Sequence, residues 1–160
     1  MFEIRQVLDG PSEDSEQVVL LHQAKDGQQI KELLNVAKTP ALDQSAVKAA
    51  RVVADQISGK PQVEVTFTEA GRTRFTEVTG ANVDKRLAIL VEGKVIMAPI
   101  VRTQIRDGRA LLVGDFTEQQ AQELANTINK AVRTGEKSKL KPWPQGPYDQ
   151  LRMIEKPSSK

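Results

Sequence analysis

The run Leu87-Ala88-Ile89-Leu90-Val91 constrains the fold more than any other feature of this chain. Residues 86–91 are too apolar to form a strand with one face in water. They have to be a central strand covered on both sides. The flanking sequence says what surrounds it. Val63, Val65 and Phe67 alternate with Gln62, Glu64 and Thr66, the period-two pattern of a half-buried strand. Residues 51–54 precede this strand across Ile57-Ser58-Gly59-Lys60-Pro61, which reads as strand–turn–strand. Thr68 then caps a helix with Glu69 in its first turn, where the helix dipole favours an acid, and Phe75, Val78 and Thr79 form its buried stripe. If residues 63–67 and 87–91 lie parallel in one sheet, that helix is a right-handed crossover.

Downstream, Glu92-Gly93 turns the chain into a strand over 94–97, and Ala98-Pro99 breaks the pairing because Pro has no N–H to donate. Residues 100–105 and 110–113 flank Asp107-Gly108, which predicts a hairpin. Thr117 and Gln120 make a capping box for a helix with the stripe Ala121, Leu124, Ala125, Ile128, Ala131 and Val132. Toward the N-terminus, residues 2–8 read as a strand, 11–17 as a polar loop, and 18–21 as a short apolar run turning at Asp26-Gly27. Residues 30–36 are read as a strand, although so short an apolar run has no decisive period. Asp43 is a suitable N-cap for a short helix over 44–50.

This order predicts an α+β fold, a mainly antiparallel sheet with two main helices packed on one face. Of 160 residues, 39% are apolar and only 4% aromatic, enough for one core of Val, Leu, Ile and Ala over residues 1–134. Residues 135–160 read as a basic, Pro-rich tail or linker carrying Lys137, Lys139, Lys141, Trp143 and Tyr148. The formal charge of +2 belongs to that tail, so the body shows no nucleic-acid footprint.

Little of the inventory supports chemistry. The chain has no cysteine, which excludes thiol nucleophiles, disulfides and Cys-ligated metals. His22 is the only histidine, so neither a two-His metal face nor a Ser-His triad is available. Glu13, Asp14 and Glu16 read as a solvated loop, lacking the glycine and terminal Glu of a calcium loop. Asp107 and Asp115 could be paired as an acid and a base, but a turn and a strand end explain both. No glycine cluster is followed by Lys-Ser or Lys-Thr ahead of a helix. These absences predict no catalytic residue, no metal, no cofactor and no small-molecule substrate.

One resemblance adds to this reading. Val65-Thr66-Phe67-Thr68-Glu69-Ala70-Gly71, then Lys85-Arg86-Leu87-Ala88-Ile89, Gly93-Lys94-Val95, Ala98-Pro99 and Gly114-Asp115-Phe116-Thr117 occur in the order of a known family. The run resembles the head of the first large extracytoplasmic domain of SecD, the membrane subunit that assists bacterial protein export. The likeness covers roughly residues 60–132, with a looser echo at Phe2-Glu3-Ile4-Arg5 and over 42–55. Asp84 stands where the family usually has Gly, which a left-handed turn would tolerate, and Glu92 replaces a frequent Asp.

The resemblance implies a non-enzymatic module on the outer side of the membrane that touches emerging polypeptide. It also implies that the head stands apart from the translocase, as stand-alone or sensor-attached heads do. The membrane part of SecD has no counterpart in these residues, so any membrane proximity would come through an anchor outside them. The edge interrupted by Pro99 is the expected contact, with Val95, Met97, Pro99 and Ile100 as candidate polypeptide-binding residues and strand addition as the mode. Two alternatives stay open: an accessory or sensor domain tethered to a membrane protein, and a small carboxylate-dependent enzyme using Asp107 or Asp115.

Overall fold

The computed structural model describes residues 1–134, so the expected tail over 135–160 lies outside the described residues. Strands β1 (Phe2–Leu8), β2 (Ser15–Gln23), β3 (Gln29–Ala37) and β4 (Leu42–Asp43) lead through one 3₁₀ turn, Gln44–Ala46, into β5 (Val47–Ala54) and β6 (Pro61–Phe67). Helix α1 (Glu69–Ala81), strands β7 (Leu87–Val91), β8 (Lys94–Met97) and β9 (Arg109–Leu112), and helix α2 (Glu118–Arg133) follow. The ladders between these strands are antiparallel and form two sheets, one ordered β2-β3-β1-β7-β8 with β4 beside β1, the other β5-β6-β9.

Strand β7 is central and fully buried, as its composition demands. Leu87, Ile89 and Val91 face the main core, while Ala88 and Leu90 face a second, smaller one. The main core joins Phe2 and Ile4 of β1, Val63, Val65 and Phe67 of β6, and Leu112 of β9 to Phe75 and Val78 of α1 and Ala125 and Ile128 of α2. Both helices therefore lie on one side of β7. The other side is covered by Leu20, Leu34 and Val36 of the long β2–β3 hairpin. Arg86 holds that hairpin down: its guanidinium donates to Glu32 at 2.7 and 3.3 Å and to the Ala98 carbonyl at 2.9 Å. The Arg86 hydrogen bond also holds the Glu32 carboxyl below the usual carboxylate range.

Helix capping follows the sequence signals. Thr68 accepts from the Gly71 N–H, and Thr117 with Gln120 closes a reciprocal box. Asp84 does adopt the left-handed turn that its place in the family allows, with φ of 66°, and Glu92 adopts one too, at 51°, which the sequence marks only as a turn.

Four expectations need correction. The helix over 44–50 is a single 3₁₀ turn. Asp43 does cap it, accepting from the Ser45 N–H at 2.9 Å, but the ladder to β6 claims the chain from Val47 onward. The loop over 11–17 is shorter than expected, because Ser15 already pairs with Ala37. Strands β6 and β7 lie in different sheets, so α1 connects two sheets and is no crossover within one.

The hairpin around Asp107-Gly108 is the fourth. Its turn forms, with Gly108 at φ 73° and the Asp107 carboxylate accepting from the Arg109 N–H at 3.2 Å, but residues 100–105 are not its first strand. They are strapped instead along the entry to β7 and the end of α1. The Val101 N–H donates to the Lys85 carbonyl, the Asp84 N–H to the Val101 carbonyl, and the Ile105 N–H to the Thr79 hydroxyl. Strand β9 pairs with β6.

Candidate functional site

The two edges of the three-stranded sheet are treated differently. The phase of hydrogen bonding follows from one bond: the Phe67 N–H donates to the Gly108 carbonyl, so Phe67, Val65 and Val63 turn their backbone groups toward β9. Alternation then directs the N–H and C=O of Ala50 and Val52 outward from β5, and those of Arg109 and Leu111 outward from β9. At β5 the outward pair of Ala50 is closed. The Asn129 side chain of α2 accepts from the Ala50 N–H and donates to the Ala50 carbonyl, both at 2.8 Å, standing in for a neighbouring strand. Asn129→Leu should cost about 1–3 kcal/mol, since two buried-edge groups lose their partner. Urea denaturation checks it, and an unchanged midpoint would show that the amide bridge contributes nothing.

At β9 only the Arg109 N–H is capped, by Asp107. The Leu111 N–H and C=O and the Arg109 carbonyl face a cleft of about 590 Å³. The strap over 99–103 forms its opposite wall, and its floor is the main core itself: Ile4, Phe75, Leu87, Ile89 and Ile105. A second hollow of about 650 Å³ shares Pro99 and continues past the end of β9, along Met97, Val113 and Phe116. Leu111 and Val113 are 48% and 50% exposed on the outer face. The split between the sheets has thus left a gap in the β layer with an open backbone edge on one side.

Glu64, Thr79, Asp107 and Asp115 around this gap are engaged structurally. Glu64 pairs with Arg51 at 2.9 Å and with Arg109 at 3.7 Å. The Thr79 hydroxyl donates to the Phe75 carbonyl and accepts from Ile105. Asp107 is occupied in its turn, and Asp115 lies 3.6 Å from Lys60. His22 stands beside Glu32 at 3.8 Å. Among the described residues no three His, Cys, Asp or Glu side chains converge as a metal site, and no helix is long and apolar enough to cross a membrane.

The candidate residues are divided by this geometry. Pro99 and Ile100 line the cleft opposite β9. Met97 lines the second hollow and packs on the main core. Val95 lies on the other side of the sheet, packed with the small core under the β2–β3 hairpin, and β2 lies against β8. Sequence reasoning missed Leu111, Phe75 and Ile105 as cleft residues. The available signal was the alternation of Arg109, Leu111 and Val113 with Ala110 and Leu112, obscured by assigning that strand to a local hairpin.

A family model described as the SecDF P1 head subdomain matches residues 17–132. The protein translocase subunit SecDF of Thermus thermophilus is 43% identical over 86 residues, which are 54% of this chain and 12% of that protein. The protein translocase subunit SecD of Sebaldella termitidis is 40% identical over 87 residues, 54% of this chain and 21% of that protein. Among solved structures, SecDF in its super-membrane-facing form superposes with a TM-score of 0.61 at 30% identity, covering 79% of this chain and 18% of its own. A structure of the membrane component SecDF that enhances protein export gives 0.60 at 31%, covering 79% and 60%. The chain therefore spans about a fifth or less of these two sequence relatives.

Proposed function

The chain belongs to the family of SecDF P1 head subdomains, and on that premise we propose that it is a non-catalytic head module that engages extended polypeptide on the outer side of the membrane during protein export. The observation that carries this reading is the unpaired backbone of β9 above an apolar cleft. An open edge offers the same donors and acceptors to any extended chain, so affinity by strand addition is tolerant of sequence. A factor that meets many different proteins needs that tolerance. Proteins ordinarily blunt such edges, as Asn129 does at Ala50 of β5, and at β9 only the Arg109 N–H is covered.

A photo-crosslinking amino acid at Leu111, at Ile100, or at the distant Gln122 on α2 tests this against an unfolded secretory protein. Adducts should form from Leu111 and Ile100 well above Gln122, and equal yields at all three would end the reading. A second reading, a head that docks onto a folded partner, is favoured by Val19, Leu21 and Leu33, which expose apolar side chains on the outer face of the β2–β3 hairpin. Crosslinks from Leu33 to a folded domain, with none from Leu111, would select it.

A further inference from the structure

Resting on the reading of β9 as a polypeptide-binding edge, we infer that the groove is selective for one class of segment. That class is an extended stretch alternating apolar and polar residues, with an acidic residue among the polar ones. The geometry of pairing sets the alternation. A strand added to β9 bonds to the outward carbonyl of Arg109 and the outward N–H and C=O of Leu111, and its residues opposite them project to the same outer face. Its residues opposite Ala110 and Leu112 project inward. There the floor is formed by Ile4, Phe75, Leu87 and Ile89, already buried in the main core, and Ile105, packed against it, so this side of the groove is apolar. An apolar residue placed at this point packs on that floor, and a polar one is desolvated without a partner.

The outer face has the opposite character. Glu64 and Arg109 are already paired with each other at 3.7 Å. Arg102, exposed on the strap side of the cleft, has no ion pair to any described residue. An outward acidic residue of the bound strand would supply that missing partner. Strand β9 spans four residues, Arg109–Leu112, about 13 Å at strand rise, so a segment of about eight residues pairs with it over its central part. Repeating backbone groups along this length fit a chain better than a compact ligand.

The test uses the full chain and two labelled peptides of identical composition, about eight residues long. One has Val or Leu at every second position with Ser, Thr and one Glu between, and the other has its apolar residues in one block. Fluorescence anisotropy should show the alternating peptide bound at least about tenfold tighter, the yield of one more buried side chain. Leu111→Pro removes an outward N–H and no ladder bond, and should abolish binding by a protein whose circular dichroism is unchanged. If that variant does not fold, backbone N-methylation of the alternating peptide removes the same bonds from the ligand side and should have the same effect. Arg102→Glu should weaken the Glu-bearing peptide several-fold more than its Gln counterpart.

Equal affinity for the two peptides overturns the selectivity and leaves polypeptide capture standing. Absence of binding by either sinks both. Tight binding that survives both Leu111→Pro and N-methylation places the peptide elsewhere and also overturns the inference.

Discussion

Arg5→Met is expected to destabilise the fold by about 3–5 kcal/mol, through the carboxylate it would abandon rather than the charge it would remove. Glu3 lies on β1, inside the larger sheet, with only 4% of its side chain exposed. Its partner is the Arg5 guanidinium, whose Nε and Nη2 reach Glu3 Oε1 at 2.9 and 2.8 Å. The same guanidinium spends Nη1 on Glu16 Oε1 at 2.8 Å and on the carbonyls of Ala37 and Lys38 at 3.0 and 2.8 Å. One side chain thus neutralises a buried acid and ties β1 to the start of β2 and the end of β3. Met fills much of the same volume and keeps the apolar stem packed, so the loss measured is mainly electrostatic. Replacing both partners, Glu3→Gln with Arg5→Met, should recover more than half of it, since an uncharged amide is far cheaper to bury. Urea unfolding with a constant slope reads both values. A single-variant loss under about 1 kcal/mol would mean that the pair behaves as a screened surface bridge.

Glu3 and Arg5 also show what the sequence made legible and what it hid. Phe2-Glu3-Ile4-Arg5 alternates as a strand should, and the strand is there. Alternation, however, assigns the charged residues to water, and only the β2–β3 hairpin folding across that face buries them. The same division recurs throughout. Elements whose causes are local were readable: the β6 alternation, the caps at Thr68 and Thr117, the apolar run of β7, the turn at Glu92-Gly93. Pairing is not local. Nothing near Arg109 says that its strand will choose β6 over residues 100–105. That choice depends on Thr79, 26 residues from Ile105, taking the N–H a hairpin would have used.

The candidate site suffered most from this. Pro99 correctly marked a break, and with Ile100 it does line the cleft, but the open edge belongs to a strand that had been given a different partner. The cap on Ala50 was equally invisible, because Asn129 and Ala50 are 79 residues apart and a side-chain amide on a helix carries no strand signal.

Gly71→Ala is the second large effect, and its sign is decided by geometry against propensity. Alanine in place of glycine inside a helix ordinarily gains about 1 kcal/mol. Gly71 sits in the first turn of α1, where its N–H donates to the Thr68 hydroxyl at 3.0 Å. A Cβ there would lie 2.2 Å from the Ala46 carbonyl oxygen and 2.9 Å from the Ala46 Cβ. That oxygen cannot swing away, because it accepts from the Thr68 N–H at 2.9 Å. Either the helix start lifts from the 3₁₀ turn or the capping contact breaks. Overpacking against fixed backbone of this kind costs about 3 kcal/mol or more, so the net loss should be about 2 kcal/mol. Gly80→Ala in the same helix is the matched control. Its Cβ would meet the amide end of Gln104, which can rotate, so the propensity gain should leave that variant within about 1 kcal/mol of the parent. Thermal or urea unfolding of the two variants side by side separates the arguments. If Gly71→Ala loses no more than Gly80→Ala, the close approach of α1 to the Ala46 turn is not what seats the helix. The consequence then reaches the cleft, because Phe75, one turn further along α1 and stacked on Phe67 at 4.6 Å, forms part of the floor that an added strand would cover.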